Sequence, residues 1–278
     1  MSAGQGEYLT RCQRGDLSRQ VSSLTPSQIL ALTSTQLSVL ESQDLRVLSV
    51  GSLSASQLNF LSTSQISNLL TTQVRALLGS QISALSTNNL NALTSTQFQA
   101  LTTAQVSSIK TEQISSIETL DLQALNTAQL QAISRDSIGA LTTEAINALS
   151  TAKLAALSLI QISALKTSQI SSLRTQNLQA LSTAQMSVLS DTQFNALSTA
   201  QIQSLLATQV RALSEFKISG FQTSALNALT SNQFQAINTS AITKLTTVQL
   251  GSLELEDVKS LSTAVLRDLT SSSSKLPS

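Results

Sequence analysis

The side chains able to do chemistry in this 278-residue sequence are few and scattered. Histidine is absent, and the single cysteine, Cys12, stands between Arg11 and Arg14. Neighbouring cations lower a thiol's pKa and favour the reactive thiolate; an incidental thiol in a polar tail is the plainer reading. Arg11, Arg14 and Arg19 form a small basic arm suited to an anionic surface or a secretion chaperone, or simply a solvated tail. Glu254, Glu256 and Asp257 crowd three carboxylates together, a spacing that suggests a cation site. They also fall where a helix N-terminus favours acidic residues, and that reading is preferred. Lys153, Lys166 and Lys217 are the nominal bases beside the abundant Ser and Thr hydroxyls, yet each fills an ordinary slot of a repeat.

Without histidine and with one thiol, the chain has no zinc site, no thiolate cluster, no Ser-His-Asp or Cys-His pair and no internal disulfide. No catalytic, cofactor-binding or metal-ligating residue is assigned, and no cofactor is expected. A net charge of +1 is too small to neutralise several phosphates at once, which argues against nucleic acid as a partner. No apolar run is long enough to span a bilayer, and the opening MSAGQGEYLTRCQRGDLSRQ lacks the apolar stretch of a cleavable signal peptide. Charged residues make up 11% of the chain and aromatics 3%, while 41% is apolar. Most of the remainder is Ser, Thr, Gln or Asn.

What organises these residues is an eight-residue repeat: LTSTQFQA, LTTAQVSS, LSTAQMSV, LSDTQFNA. Counted from its first apolar residue, the octad begins at Val21, Ile29, Leu37 and Leu45, then at Leu58 and every eighth residue to Leu266, giving 31 octads. Position 1 is apolar in all 31 and position 4 likewise, the latter being Leu in 26. Position 3 is small in 24, position 5 is Ser, Thr or Asn in 21, and position 8 is Gln in the register of 19. The one break in phase reads as a five-residue insertion, Leu53-Ser54-Ala55-Ser56-Gln57, just after Gly51. The expected organisation is a non-repeating tail (1–20), a repeat region (21–269) broken at 53–57, and a polar C-terminal tail (270–278).

A period of eight fits no long regular element. On a continuous helix the apolar pair would advance roughly 80° per octad and circle the axis, and coiled coils tolerate mean apolar periods of about 3.5 or 3.67 residues. On a strand, positions 1 and 4 would face opposite ways. The chain must bend once per octad. In Leu93-Thr94-Ser95-Thr96-Gln97-Phe98 a Thr is followed three residues later by Gln, the capping box, flanked by an apolar staple at Leu93 and Phe98. Leu181-Ser182 with Gln185-Met186, and Leu197-Ser198 with Gln201-Ile202, repeat it. The reading is an all-α solenoid of about 31 capped helices, roughly seven residues each. Two rows of stubs packed about 8–10 Å apart would make an elongated rod on the order of 140 Å. The alternative is a β-solenoid with a corner between positions 1 and 4. Leu, Ala and Gln prefer helix, and glycine is scarce where such corners use it.

Leu24-Thr25-Pro26-Ser27-Gln28-Ile29 resembles the opening of a TAL-effector DNA-binding repeat, over six residues that share the capping box alone. From about Leu24 to Leu269 the chain resembles the Leu-(Ser/Thr)-x-x-Gln-Φ-x-Ala-Leu octapeptide arrays of bacterial repeat proteins, many of them secreted or surface-associated. That resemblance implies a bacterial structural or interaction protein. The expected function is a non-catalytic spacer or adhesive surface, exported without a cleavable signal, with a protein partner or self-association; an intracellular scaffold binding one protein along a groove is the alternative. Two surface features bear on this. Leu69-Leu70, Leu77-Leu78, Leu159-Ile160, Leu205-Leu206, and Phe216 with Phe221 put extra apolar residues in polar slots, marking either contact patches or local core adjustment. Hydroxyls at position 6 (Thr63, Thr103, Thr127, Thr183, Thr199) suggest an array for polysaccharide or ice, but Ser, Glu and Asn interrupt it.

Overall fold

A computed structural model describes residues 17–261. Among them are 29 α-helices of four to six residues, one 3-10 turn and no strand; a helical turn at residues 17–22 precedes the first of these. The all-α solenoid expectation holds and the β alternative falls. The helices are shorter than seven residues because two residues of each octad are extended. Helix Ser95–Ala100 ends at Leu101 (φ −58°, ψ 141°), Thr102 follows (φ −75°, ψ 159°), and Thr103–Ser107 begins at once. Both dihedral pairs are open to any L-residue. No described residue has a positive φ, so a chain that turns in every octad does so without the left-handed backbone for which glycine is reserved.

Position 4 is thus the hinge and position 5 the cap. Thr94 Oγ1 accepts from the Gln97 N–H at 3.3 Å, and the Thr94 N–H donates to Gln97 Oε1 at 2.7 Å. Where the cap is Leu, the glutamine half of the box persists alone. The N–H groups of Leu70 and Leu78 donate to Gln73 and Gln81 Oε1 at 2.9 and 2.6 Å. Helices this short do not survive in isolation. What holds them is the shared core of positions 1 and 4: Leu58, Val74, Ile82, Leu90 and Phe98 are all fully buried, each worth about 1.5–3 kcal/mol relative to exposure.

The chain divides into two compact units, Met1–Leu141 and Thr142–Ser278. In each, a helix packs most extensively on the third helix along the chain. Thr103–Ser107 lies against Thr127–Ala132 in the first unit, and Ala207–Arg211 against Ser231–Ala236 in the second. Each unit is therefore a solenoid whose coil closes after three to four helices. The expected two rows of stubs are replaced by this wider coil, with more helices to the turn.

The phase break lies elsewhere than the octad count suggested. Val50 and Leu53 are buried at 1% and 2% exposure, as a position 1 and position 4 pair should be, and they flank the 3-10 turn Val50–Ser52. Ser54 then caps Ala55–Phe60 with Gln57 in the usual box. Residues 53–57 are thus ordinary octad residues. The irregularity is an octad shortened by three residues, in which Ser49 alone joins Leu48 to Val50. The turn packs on Thr71–Ala76, the third helix on, as a full octad would. Gly51 makes this possible, because a Cβ there would sit 2.9 Å from the Ala76 carbonyl oxygen. Gly51→Ala is expected to cost about 1–3 kcal/mol in urea unfolding through overpacking. Gly251→Ala, in a helix with open space around it, should gain about 0.5–1 kcal/mol. Equal effects would show that the contact with Ala76 does not constrain the short octad.

Candidate functional site

The side chains with the most constrained chemistry are the position 8 glutamines, at N3 of each helix. Gln129 Oε1 accepts from the Asn126 N–H at 2.8 Å, closing its own capping box. Its Nε2 donates to the carbonyls of Phe98, Gln99 and Leu101 at 3.1, 3.2 and 2.6 Å. Gln233 repeats this in the second unit, with Nε2 on Ile202, Gln203 and Leu205 at 2.8, 3.2 and 2.7 Å. Those carbonyls sit at a helix C-terminus, where four acceptors lack intrahelical partners. One amide therefore closes the N-terminus of its own helix and the C-terminus of the helix four octads earlier. The residue spans are 31 and 28 for Gln97, but 28 and 25 for Gln57 and Gln65, whose bonds cross the short octad. The short octad thus counts as a full one in the winding.

The sequence reading found only the local half of this arrangement. A signal for the other half was present: Glu, equally able to build a capping box and better placed against the helix N-terminus, stands at none of these positions. An acceptor-only carboxylate cannot serve the carbonyls. Two of the residues that replace Gln keep its chemistry, whereas Asn177 Nδ2 is buried without a partner. Lys217 Nζ donates to the Leu189 carbonyl, in the slot of an amide, and lies 4.0 Å from Asp191. Asn89 Nδ2 donates to Leu58 and Leu61 at 3.2 and 3.3 Å.

Asp121 has no donor to offer. Instead it accepts from Ser95 Oγ at 2.9 Å. Burial pushes its carboxyl above the usual range; the Ser95 hydrogen bond pulls it down, and nearby Glu118 adds to the rise. A carboxyl raised in the folded state is one whose ionisation opposes folding. The penalty is absent when both states are protonated, grows as pH climbs through the raised value, and is complete above it. Asp121→Asn should therefore stabilise the protein at pH 7 by about 1 kcal/mol, the net worth of a hydrogen bond. The gain should vanish below about pH 4, near the unfolded carboxyl value. A difference in Tm that is the same at both pH values would refute this account.

A second set of bonds covers the gaps in the first. Position 2 is Asn five times, at 59, 91, 147, 195 and 227, and 27 residues beyond each is a cap whose N3 residue is not Gln. Asn59 Nδ2 donates to the Ala84 carbonyl at 2.7 Å, and its Oδ1 accepts from the Ser86 N–H at 2.8 Å, because Asn89 is too short to do so. Asn147 does the same for Arg174 at 3.1 Å, and Asn195 for Gln222 at 2.9 Å. Where the N3 residue is Asp121 or Asp257, the Oδ1 atoms of Asn91 and Asn227 are buried without a partner.

The other candidates do not converge. Cys12, Arg11 and Arg14 lie outside the described residues, and Arg19 is exposed. Glu256 pairs with Lys259 at 2.9 Å on the surface, and nothing is described of the Asp257 side chain. Among the described residues no three His, Cys, Asp or Glu side chains gather as metal ligands, and no helix is long and apolar enough to cross a membrane. Lys153 stands at N3 of Thr151–Ala155, Lys166 is an exposed cap, and Lys217 is in the ladder. The apolar doublets divide. Leu69, Leu77, Leu205 and Phe221 are core, the last stacked on Phe194 with centroids 4.0 Å apart. Leu70, Leu78, Leu159, Ile160, Leu206 and Phe216 are exposed. Thr63, Thr103, Thr127, Thr183 and Thr199 are exposed at N1.

No curated protein matches the chain. Residues 114–151 and 172–207 match the family model of the ALTTAQ repeat. Within them Ala124–Gln129 reads ALNTAQ, and Ala180–Gln185 and Ala196–Gln201 both read ALSTAQ. In structural terms those six letters are one helix join: the small residue that ends a helix, the hinge leucine, the cap, two residues of the next helix, and the amide that ties it to the coil before. The chain is a repeat protein that carries this motif in both of its units.

Proposed function

We propose that the chain is a non-catalytic structural spacer or interaction surface, exported from a bacterial cell. The observation that carries this reading is the fate of the polar side chains. Most of the buried ones are used in holding helix to helix, and the variable slots are on the surface. A repeat built this way tolerates change at the exposed N1 and N2 positions while its frame stays fixed, which suits a protein whose purpose is to span a distance or present a face. Its low charge and hydroxyl-rich exterior fit an exported chain.

The test is protease shaving of intact source cells, followed by detection of the chain in surface, medium and cytosolic fractions. Recovery from the surface or medium supports export, and recovery from the cytosol alone overturns it. A pull-down that returns one stoichiometric protein would favour the intracellular scaffold.

A further inference from the structure

The two ends of the glutamine ladder are unlike its middle. From Gln57 to Gln249 every position 8 glutamine is buried, and so is every position 4 residue from Leu48 to Leu245. Gln28 and Gln36, however, are exposed. Their Oε1 atoms accept from the Thr25 and Thr33 N–H groups, both at 2.9 Å, but among the described residues no carbonyl meets their Nε2 atoms. Beside them the position 4 residues Leu24, Leu32 and Leu40 are only half-buried and line an apolar groove with Leu17 and Val21.

At the other end the situation is reversed. The carbonyls of Ile237 and Leu245 stand where a ladder amide should arrive, and the register puts Val265 and Ser273, neither with an amide, 28 residues on. Leu250 and Leu253 are half-buried there. One end has donors and an apolar groove, and the other has acceptors and half-buried leucines.

We propose that the N-terminal face of one copy docks on the C-terminal face of a second copy, so that Gln28 and Gln36 donate to hinge carbonyls of the partner as Gln97 and Gln129 do in the first unit and Gln209 and Gln233 in the second. What covers such a face is known from the interior of each unit, where it is the C-terminal side of another coil of the same repeat. Residues 1–16 are a poor substitute. The octad register continued backwards puts Gln13 with Asp16, and Gln5 with Tyr8, in slots that are otherwise apolar pairs. The interface joins two different faces, so each added copy presents a fresh one and assembly is head-to-tail. This deepens the spacer reading by naming a partner: another copy of this chain.

The test is analytical ultracentrifugation of the purified full chain over a range of concentrations. We expect wild type to show rising mass with concentration. Gln28→Glu with Gln36→Glu keeps both capping boxes but turns donors into carboxylates, and should weaken association about tenfold or more. Leu253→Glu damages the opposite face and should do the same. A mixture of the two variants should form a dimer that goes no further, since each retains one good face. Far-UV circular dichroism checks that both are folded; if Leu253→Glu is not, the glutamine variant and wild type decide alone. A wild type that stays monomeric, variants that associate like wild type, or two folded variants that do not pair would each overturn the proposal. Cell shaving tests the spacer reading separately, so an exported monomer would leave that reading standing.

Discussion

Gln129→Glu is expected to remove about 3–5 kcal/mol of stability at pH 7, the cost of a buried charge left without a partner. By local rules the change is harmless or helpful, since Glu builds a capping box as well as Gln and its charge suits a helix N-terminus. The ladder reverses that expectation. Gln129 is 1% exposed, and its Nε2 faces the carbonyls of Phe98, Gln99 and Leu101. Glutamate would set a carboxylate oxygen against all three. Gln28→Glu is the control within the same molecule: its box is intact and its Nε2 donates to no described carbonyl, so its effect should be within about 0.5 kcal/mol. Because the new carboxyl at 129 is held above its unfolded pKa, the penalty should shrink as pH falls towards about 4.3. Urea titrations at neutral and acid pH measure all of this. Equal costs at 28 and 129 would mean that the amide does no more than cap.

Most of the fold was legible because its signals are local. A cap, an N3 glutamine and two apolar residues three apart all lie within one octad, and Thr94, Gln97, Phe98 and Leu101 behave as their spacing says they should. The winding was not legible in the same way. Whether a stub meets its first, second or third neighbour depends on the angle at the hinge, and Leu101 fixes that angle through ordinary extended dihedrals that no residue type advertises. The short octad was misplaced for a related reason. Periodicity counts residues, whereas the solenoid counts buried pairs, and Val50 with Leu53 is a pair that the eight-residue ruler steps over. The glutamine's second bond needed a different kind of reading, from what is missing at position 8 rather than what is present. The link between position 2 asparagines and caps 27 residues away becomes intelligible only once the coil length is known.

Three deletions separate these levels. Removing Thr102–Ile109 takes out one octad from cap to hinge. Leu101 is then followed by Lys110, a hinge still precedes a cap, and Gln113 and Gln129, whose bonds cross the cut, find equivalent carbonyls one octad earlier. Even Asp121 regains a hydroxyl, because Thr87 moves into the place of Ser95. Removing Thr103–Gln105 instead leaves Leu101-Thr102-Val106-Ser107-Ser108-Ile109, which matches Leu48-Ser49-Val50-Gly51-Ser52-Leu53 slot for slot. With Ser107→Gly to supply the close approach, it recreates the native short octad and loses one ladder amide, that of Gln105 to Val74 and Leu77. Removing Val106–Ile109 keeps the cap and the amide but takes both core residues. Each such loss costs roughly 2–5 kcal/mol, and together they rival the whole stability of a domain, about 5–15 kcal/mol. With either of the first two deletions the first unit should still unfold cooperatively in urea; the third should lose that transition. The deletion of three residues distinguishes the possibilities most sharply. If the octad itself is the structural unit, it should fail as badly as the deletion of four; if the buried pair is the unit, it should survive, since nothing in the winding requires eight residues between pairs.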